Sequence, residues 1–184
     1  MNQSNQPLVS VVIPCYNHEK FVQDCIKCIV DQTYQNIELI IIDDGSKDGS
    51  VEKIKEMIPA CQERFIRFEF RHRPNKGLSA TLNEALEWCE GIYFSGLASD
   101  DILLPEKLMV QVPILEADDA CKGVFGNMIL INNQNEECGK KINLKGVNIP
   151  KDHIEAGMIY VKEVVEEKEK ARLGEPTDLY SKDG

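Results

Sequence analysis

No stretch of this sequence strings together the ~20 apolar residues needed to cross a bilayer, so no membrane span is expected. The start carries no basic segment leading into an apolar one, so nothing there directs the chain to secretion. Its seven cysteines are odd in number and lack the spacing of a disulfide framework. Reduced thiols in a cytoplasm are the default for such a chain, with peripheral contact at the inner face of the membrane left open. Cys25 and Cys28 form a Cys-x-x-Cys inside an apparent helix. No second pair completes a zinc site, so their expected role is core packing. Positive charge is also scarce. Lys and Arg number 21 against 31 Asp and Glu, and the formal charge of −10 argues against nucleic acid as the main partner. One local basic cluster, Arg64, Arg67, Arg71, Arg73 and Lys76, reads either as a solvated strand and loop or as a contact for a nucleotide or membrane surface. Internal repeats and low-complexity linkers are missing as well.

What is present is a globular composition, 42% hydrophobic over 184 residues, enough for one domain with a real core. Strand and helix patterns alternate. Leu8–Ile13 reads as a strand stopped by Pro14, and residues 18–32 as an amphipathic helix with Phe21, Val22, Cys25, Ile26 and Ile29 inward. Ile37–Ile42 is a second strand, and residues 46–58 a helix with Pro59 just past its end. Phe65–Phe70, Ile92–Ser95 and Val124–Ile131 read as further strands. Ser79–Glu90 and Glu106–Ala117 read as helices, the latter open to a kink at Pro113. The order βαβαβαβαβ predicts an open α/β sheet. Beyond it, residues 132–147 are polar and turn-rich, Met158–Lys170 reads as a charged helix, and the tail after Gly174 has no clear periodicity.

Two pairs of adjacent aspartates close strands. Ile37–Ile42 runs into Asp43-Asp44-Gly45-Ser46, and Ile92-Tyr93-Phe94 leads to Asp100-Asp101. Nearly continuous apolar strands belong to parallel sheets covered on both faces, and ligands collect at the carboxyl ends of such strands. Four carboxylates at that edge are costly without a cation or polar ligand, so a divalent metal and its accompanying phosphates are expected there.

Four motifs fall in order. Val12-Ile13-Pro14-Cys15-Tyr16-Asn17 ends the first strand, and Asp43-Asp44-Gly45-Ser46-x-Asp48-Gly49-Ser50 ends the second. Asn75-Lys76-Gly77-Leu78-Ser79 precedes a helix containing Asn83, and Gly91-Ile92-Tyr93 leads to Ala98-Ser99-Asp100-Asp101. Together they resemble the nucleotide-binding half of family 2 glycosyltransferases over roughly residues 8–131. That resemblance implies a GT-A fold, a Rossmann-like open, mostly parallel sheet with helices on both faces. It also implies an inverting enzyme using a nucleotide-diphospho-sugar, UDP foremost, with a glycan or lipid-linked acceptor and a place in surface polysaccharide synthesis. Residues 1–131 would form the donor-binding domain, and 132–184 a partial acceptor-side segment with a charged tail.

The resemblance assigns donor-site positions to Pro14, Tyr16, Asn17, Asp43, Asp44, Lys76, Gly77, Asn83, Ser99 and Asp100. Tyr16 would stack on the base and Asp44 accept from a uracil ring nitrogen. For Asp43, a turn or helix-capping carboxylate beside Ser46 stays open as the alternative. Asp100 is expected near the ribose and Asp101 on Mg²⁺ or Mn²⁺, a hard cation needing one or two protein carboxylates beside diphosphate and water. Leu82 departs from the Arg many relatives carry beside Asn83. The acceptor-side base is expected late in the chain, where Asp178 and then Glu175 are the candidates, in a stretch that departs from the family's continuation. Two alternatives remain: a truncated member that binds nucleotide-sugar with little transfer, and a Mg²⁺-dependent phospho-acceptor receiver module.

Overall fold

The computed structural model describes residues 6–126, then 129, 131, 132, 136 and 137, and the backbone of Ile159–Val161. Strands β1 (Val9–Cys15), β2 (Ile37–Asp43), β3 (Arg67–His72) and β4 (Tyr93–Gly96) run parallel in the spatial order β3-β2-β1-β4. Helices α1 (Val22–Val30), α2 (Ser50–Arg64), α3 (Leu78–Trp88) and α4 (Lys107–Ala117) connect and cover them. This is the expected GT-A-type, Rossmann-like α/β architecture.

Alternation of side chains along each strand divides the core into two layers. Val9, Val11, Ile13, Ile37, Leu39 and Ile41 face α1, α2 and α4, packing on Ile26, Ile29, Ile54, Leu108 and Val112. Val12, Ile40 and Ile42 face α3 through Ala85, Leu86 and Cys89. Every residue of β2 is buried, as a strand covered on both faces requires.

Several boundaries differ from the sequence expectation. Strand β1 runs through Pro14 to Cys15. The Val12 carbonyl accepts from Leu97 on the β4 side, and the β1–β4 ladder ends at Gly96. Pro14 has the same parity as Val12, so its missing N–H points to a side with no ladder left to complete. Helix α1 starts only at Val22, because the Phe21 and Val22 amides both close a turn on the His18 carbonyl. Helix α2 runs through Pro59 to Arg64 instead of stopping before it. Pro59 lies on the exposed side, where water can meet the carbonyl it frees. The last turn is held from outside: the Arg64 guanidinium donates to the carbonyls of Val30, Gln32, Tyr34 and Gln35.

The reading of Met158–Lys170 as a helix is corrected in its first residues. Ile159–Val161 forms β6, antiparallel to both β4 and β5 (Gly123–Val124). Ile-Tyr-Val is a β-branched and aromatic run, and it finds an unpaired edge of β4 to complete. Residues 162–170 lie outside the described residues, as does most of the expected strand beyond Val124.

Candidate active site

The strand order places a crevice before any side chain is considered. The chain leaves β1 for β2 and β3 on one side, then returns to β4 on the other. In open α/β sheets ligands bind at that reversal, outside the carboxyl ends of the strands. Here the reversal lies between β1 and β4, whose ends lead to Tyr16–His18 and to Ser99–Asp101.

The loop after β1 is stitched to the loop after β2. The Asn17 amide donates to Ser46 Oγ at 2.8 Å, and Asn17 Oδ1 accepts from the Lys47 amide at 2.8 Å. Asn17 adopts a left-handed backbone, φ 57°, which asparagine tolerates better than bulkier residues. The His18 amide donates to Ser50 Oγ, the Glu19 amide to the Asp48 carboxylate, and the Gly49 amide to the Glu19 carboxylate. These bonds account for the spacing of Ser46, Asp48 and Ser50. They leave the Tyr16 ring 47% exposed beside the crevice.

Asp43 is fully buried and organises the turn it ends. Its carboxylate accepts from the Gly45 and Ser46 amides, from the Ser46 hydroxyl, and pairs with His72 Nδ1 at 2.7 Å. These contacts are those of the turn carboxylate left open as its alternative.

Asp44, also buried, faces the next loop. Its carboxylate pairs with Arg73 and accepts from the Lys76 and Gly77 amides at 2.8 and 2.9 Å. The two loops meet so closely that a Cβ on Gly45 would lie 2.7 Å from the Asn75 amide nitrogen. Arg73 itself is buried, bridging Asp44, Glu84 and Thr81, so the solvated reading of the basic cluster fails at this residue. Burial would raise the Glu84 carboxyl, but Arg71 and Arg73 outweigh it and hold it below the ordinary range. Lys76 and Gly77 are exposed at the mouth of this loop. Asn83 sits farther along α3, on an open groove with Arg71, Lys76 and Trp88. Its Oδ1 is buried with no partner among the described residues.

Across the crevice, Ser99 is buried and its hydroxyl lies 2.7 Å from His18 Nδ1. Asp100 is exposed, with Oδ1 3.7 Å from the same imidazole nitrogen. His18 thus belongs to the site although the motifs did not single it out. Its position just after Tyr16-Asn17, at a strand end, was the available signal. Asp101 stands beside Asp100. Desolvation first, and the Asp100 charge second, push its carboxyl up, against the pull of Lys107 and His18. Lys107 is 5% exposed, and burial brings its ammonium down to about 8, opposed by Cys28 and Asp101.

Two neighbouring carboxylates, one pushed up by burial first and by the other's charge second, are groups that a cation could relieve. Among the described residues no group of three or more His, Cys, Asp or Glu forms a complete cage. Asp100 and Asp101 are the residues that could hold a hard cation, an ion that commonly takes only one or two protein carboxylates and the rest of its shell from elsewhere. Asp178 and Glu175 lie outside the described residues.

The comparisons with known proteins now bear on this geometry. Residues 10–169 match the profile of glycosyl transferase family 2. The chain belongs to that family. The receiver alternative ends there, consistent with a sheet that reverses between β1 and β4.

Among its relatives is an uncharacterized glycosyltransferase of Rickettsia felis, 35% identical over 128 residues, which cover 68% of this chain and 20% of that protein. An uncharacterized glycosyltransferase of Haemophilus influenzae is 40% identical over 108 residues, 59% of this chain and 42% of that one. Glycosyltransferase GlyG of Streptococcus pneumoniae is 39% identical over 115 residues, 60% of this chain and 37% of that one. The chain thus spans less than half the length of these curated relatives. Solved structures share the fold at low identity. TarS of S. aureus, residues 1–349 with UDP-GlcNAc, gives a TM-score of 0.64 at 16% identity, covering 88% of this chain and 47% of that one. The mannosyltransferase PcManGT of Pyrobaculum calidifontis with GDP-Man and Mn²⁺ gives 0.66 at 17%, covering 89% and 47%. No helix among the described residues is long and apolar enough to cross a membrane.

Proposed function

We propose that this chain binds a nucleotide-diphospho-sugar, with UDP as the nucleotide, and transfers the sugar with inversion to a glycan or lipid-linked acceptor. The observation that carries this reading is that the loop after β1, with Tyr16 and His18, faces Ser99-Asp100-Asp101 across the β1/β4 reversal, where His18 touches Ser99 and Asp100, in a chain of this family. Residues 1–131 act as the donor domain, and 132–184 contribute to the acceptor side. Surface polysaccharide synthesis at the cytoplasmic face of a membrane is the setting that suits such an acceptor.

Tyr16 offers its exposed ring as a stacking platform for the base. Asp44 accepts from three donors, and a carboxylate has about four acceptor positions, so one remains for a base N–H. Asp100 takes the ribose hydroxyls, with Ser99 and His18 fixing that side of the crevice. Lys76 and Gly77 line the loop nearest Asp44, while Pro14, Asn17 and Asp43 shape the loops that present these groups. Asn83 on α3, whose carbonyl has no partner among the described residues, is placed with the donor's polar groups. Asp101 would hold Mg²⁺ or Mn²⁺, which when bound supplies charge neutralisation for the diphosphate leaving group. A carboxylate base, with Asp178 and Glu175 as candidates, deprotonates the acceptor hydroxyl for attack on the face opposite the nucleotide.

Transfer from a panel of UDP-sugars to glycan and lipid-linked acceptors, followed by NMR of the new anomeric centre, tests this reading. An inverted product is expected. A retained configuration refutes inversion, and UDP binding without transfer favours the binding-only alternative.

A further inference from the structure

The segment 97–106 between β4 and α4 has no regular structure of its own, yet it carries Asp100 and Asp101. Within it, the Asp101 amide donates to the Ala98 carbonyl and the Lys107 amide to that of Leu104. At its start it is tied to the β1 side, by the Leu97 amide to the Val12 carbonyl and by His18 to Ser99 and Asp100; other ties come from α1 and the residues just after it. Cys25 Sγ lies 3.4 Å from the Ala98 carbonyl, and the Leu103 amide donates to Cys28 Sγ at 3.2 Å. Thr33 bonds the Pro105 carbonyl through its amide at 2.9 Å and its hydroxyl at 3.2 Å. Sulfur bonds are weak, and Thr33 is exposed.

Gln32 is the strong member of the set. Its side chain is buried at 3% exposure, and both amide hydrogens and one acceptor position of the oxygen are used. Nε2 donates to Leu104 O at 2.8 Å and to Cys28 O at 3.2 Å, while Oε1 accepts from the Leu108 amide at 3.3 Å. Leu108 lies in the first turn of α4, where an amide has no partner within the helix. Helix α4 has no side-chain cap of its own at Glu106. One side-chain amide just beyond the end of α1 therefore supplies that cap and pins the segment just before it.

We propose that Gln32 is a positioning residue for the acidic pair. It sets where Asp100 and Asp101 stand through Leu104 and Leu108, without touching the donor. This inference rests on the donor-site reading above. A group bonded directly to a metal ligand is typically worth ~10–100-fold in metal affinity or activity, the upper bound for one that acts through the chain between.

The test uses the whole chain and three variants. Gln32→Met keeps side-chain volume and removes all three bonds. Gln32→Glu keeps the acceptor for Leu108 and loses the donation to Leu104, so it carries the test if Gln32→Met fails to fold. Ser10→Ala, near the amino end of β1 and away from the strand ends that carry the site, controls for general destabilisation. The readout is the ratio of UDP affinity in Mn²⁺ to that in EDTA, alongside amide hydrogen exchange of residues 98–106.

The Gln32 variants are expected to lower the ratio, by at most about 10–100-fold, and to speed exchange in that segment. UDP affinity in EDTA should fall less than affinity in Mn²⁺, through Asp100 alone, and Ser10→Ala should leave the ratio alone. An unchanged ratio in the Gln32 variants, or an equal fall in Ser10→Ala, overturns the inference. A wild-type chain with no Mn²⁺ enhancement refutes the donor reading itself, and the positioning role with it, whatever the exchange shows.

Discussion

Arg73 closes over Asp44: the guanidinium and the carboxylate, 29 residues apart in sequence, form a buried ion pair at the edge of the candidate site. The same guanidinium reaches Glu84 at 2.7 Å and Thr81 at 2.9 Å, so one side chain joins the loop after β2, the loop after β3 and helix α3. Asp44, the group proposed to read the base, is thus held by a residue that itself has almost no contact with solvent.

Removing Arg73 leaves the Asp44 charge buried with only two backbone amides. Breaking one partner of a buried pair costs about 3–5 kcal/mol. Arg73→Ala should lose that much in urea unfolding. Arg73→Lys should recover little, since an ammonium cannot span three partners with a planar fork. A loss below 1 kcal/mol on the same measurement would show the pair to be dispensable (a surface pair is worth about that).

Asp44→Asn is expected to weaken UDP binding by ~1–3 kcal/mol through loss of a charge-assisted bond to the base. Calorimetry of UDP against wild type and variant checks it. Equal affinities would remove Asp44 from base recognition and leave it a purely structural partner of Arg73.

A second buried carboxylate, near the amino end of β2, is expected to contribute to acid stability. Glu38 is fully buried, and burial alone would raise its carboxyl. Bonds from Ser10, Arg67 and the Glu90 and Gly91 amides outweigh that and hold it below the ordinary range. A folded value below the unfolded one, about 4.3, adds stability above that pH. The contribution is lost as pH falls through the folded value. Glu38→Gln should therefore cost about 1–3 kcal/mol at neutral pH, with the gap to wild type closing below about pH 4. A gap that stays constant down to pH 2.5 would contradict it.

Much of this arrangement was legible in the sequence, for physical reasons. Apolar runs such as 37–42 have few ways to be buried other than as a central strand, and the aspartates that follow had to fall at its carboxyl end. The basic cluster was not legible in the same way. Arg64, Arg67 and Arg73 find their partners across loops 29 to 34 residues away, and no local pattern encodes such a pairing. Pro14 and Pro59 misled for a related reason: each breaks a local rule whose cost the tertiary setting removes, one beside a ladder that has ended, the other on an exposed helix face. Ile159–Val161 was hidden by the charges after it, and only the open edge of β4 gives those three residues a sheet to join. His18 and Gln32 carry no motif, and their importance lies in what they touch.

The most direct measurement is a calorimetric titration of the chain with UDP, GDP and dTDP, in Mn²⁺ and in EDTA, repeated with Asp101→Ala. UDP should bind tightest and more strongly with Mn²⁺, and Asp101→Ala should bind it only at the metal-free level, because the ligating carboxylate is gone. No binding of any of the three nucleotides, or equal UDP affinity for wild type and Asp101→Ala with and without metal, would contradict the account.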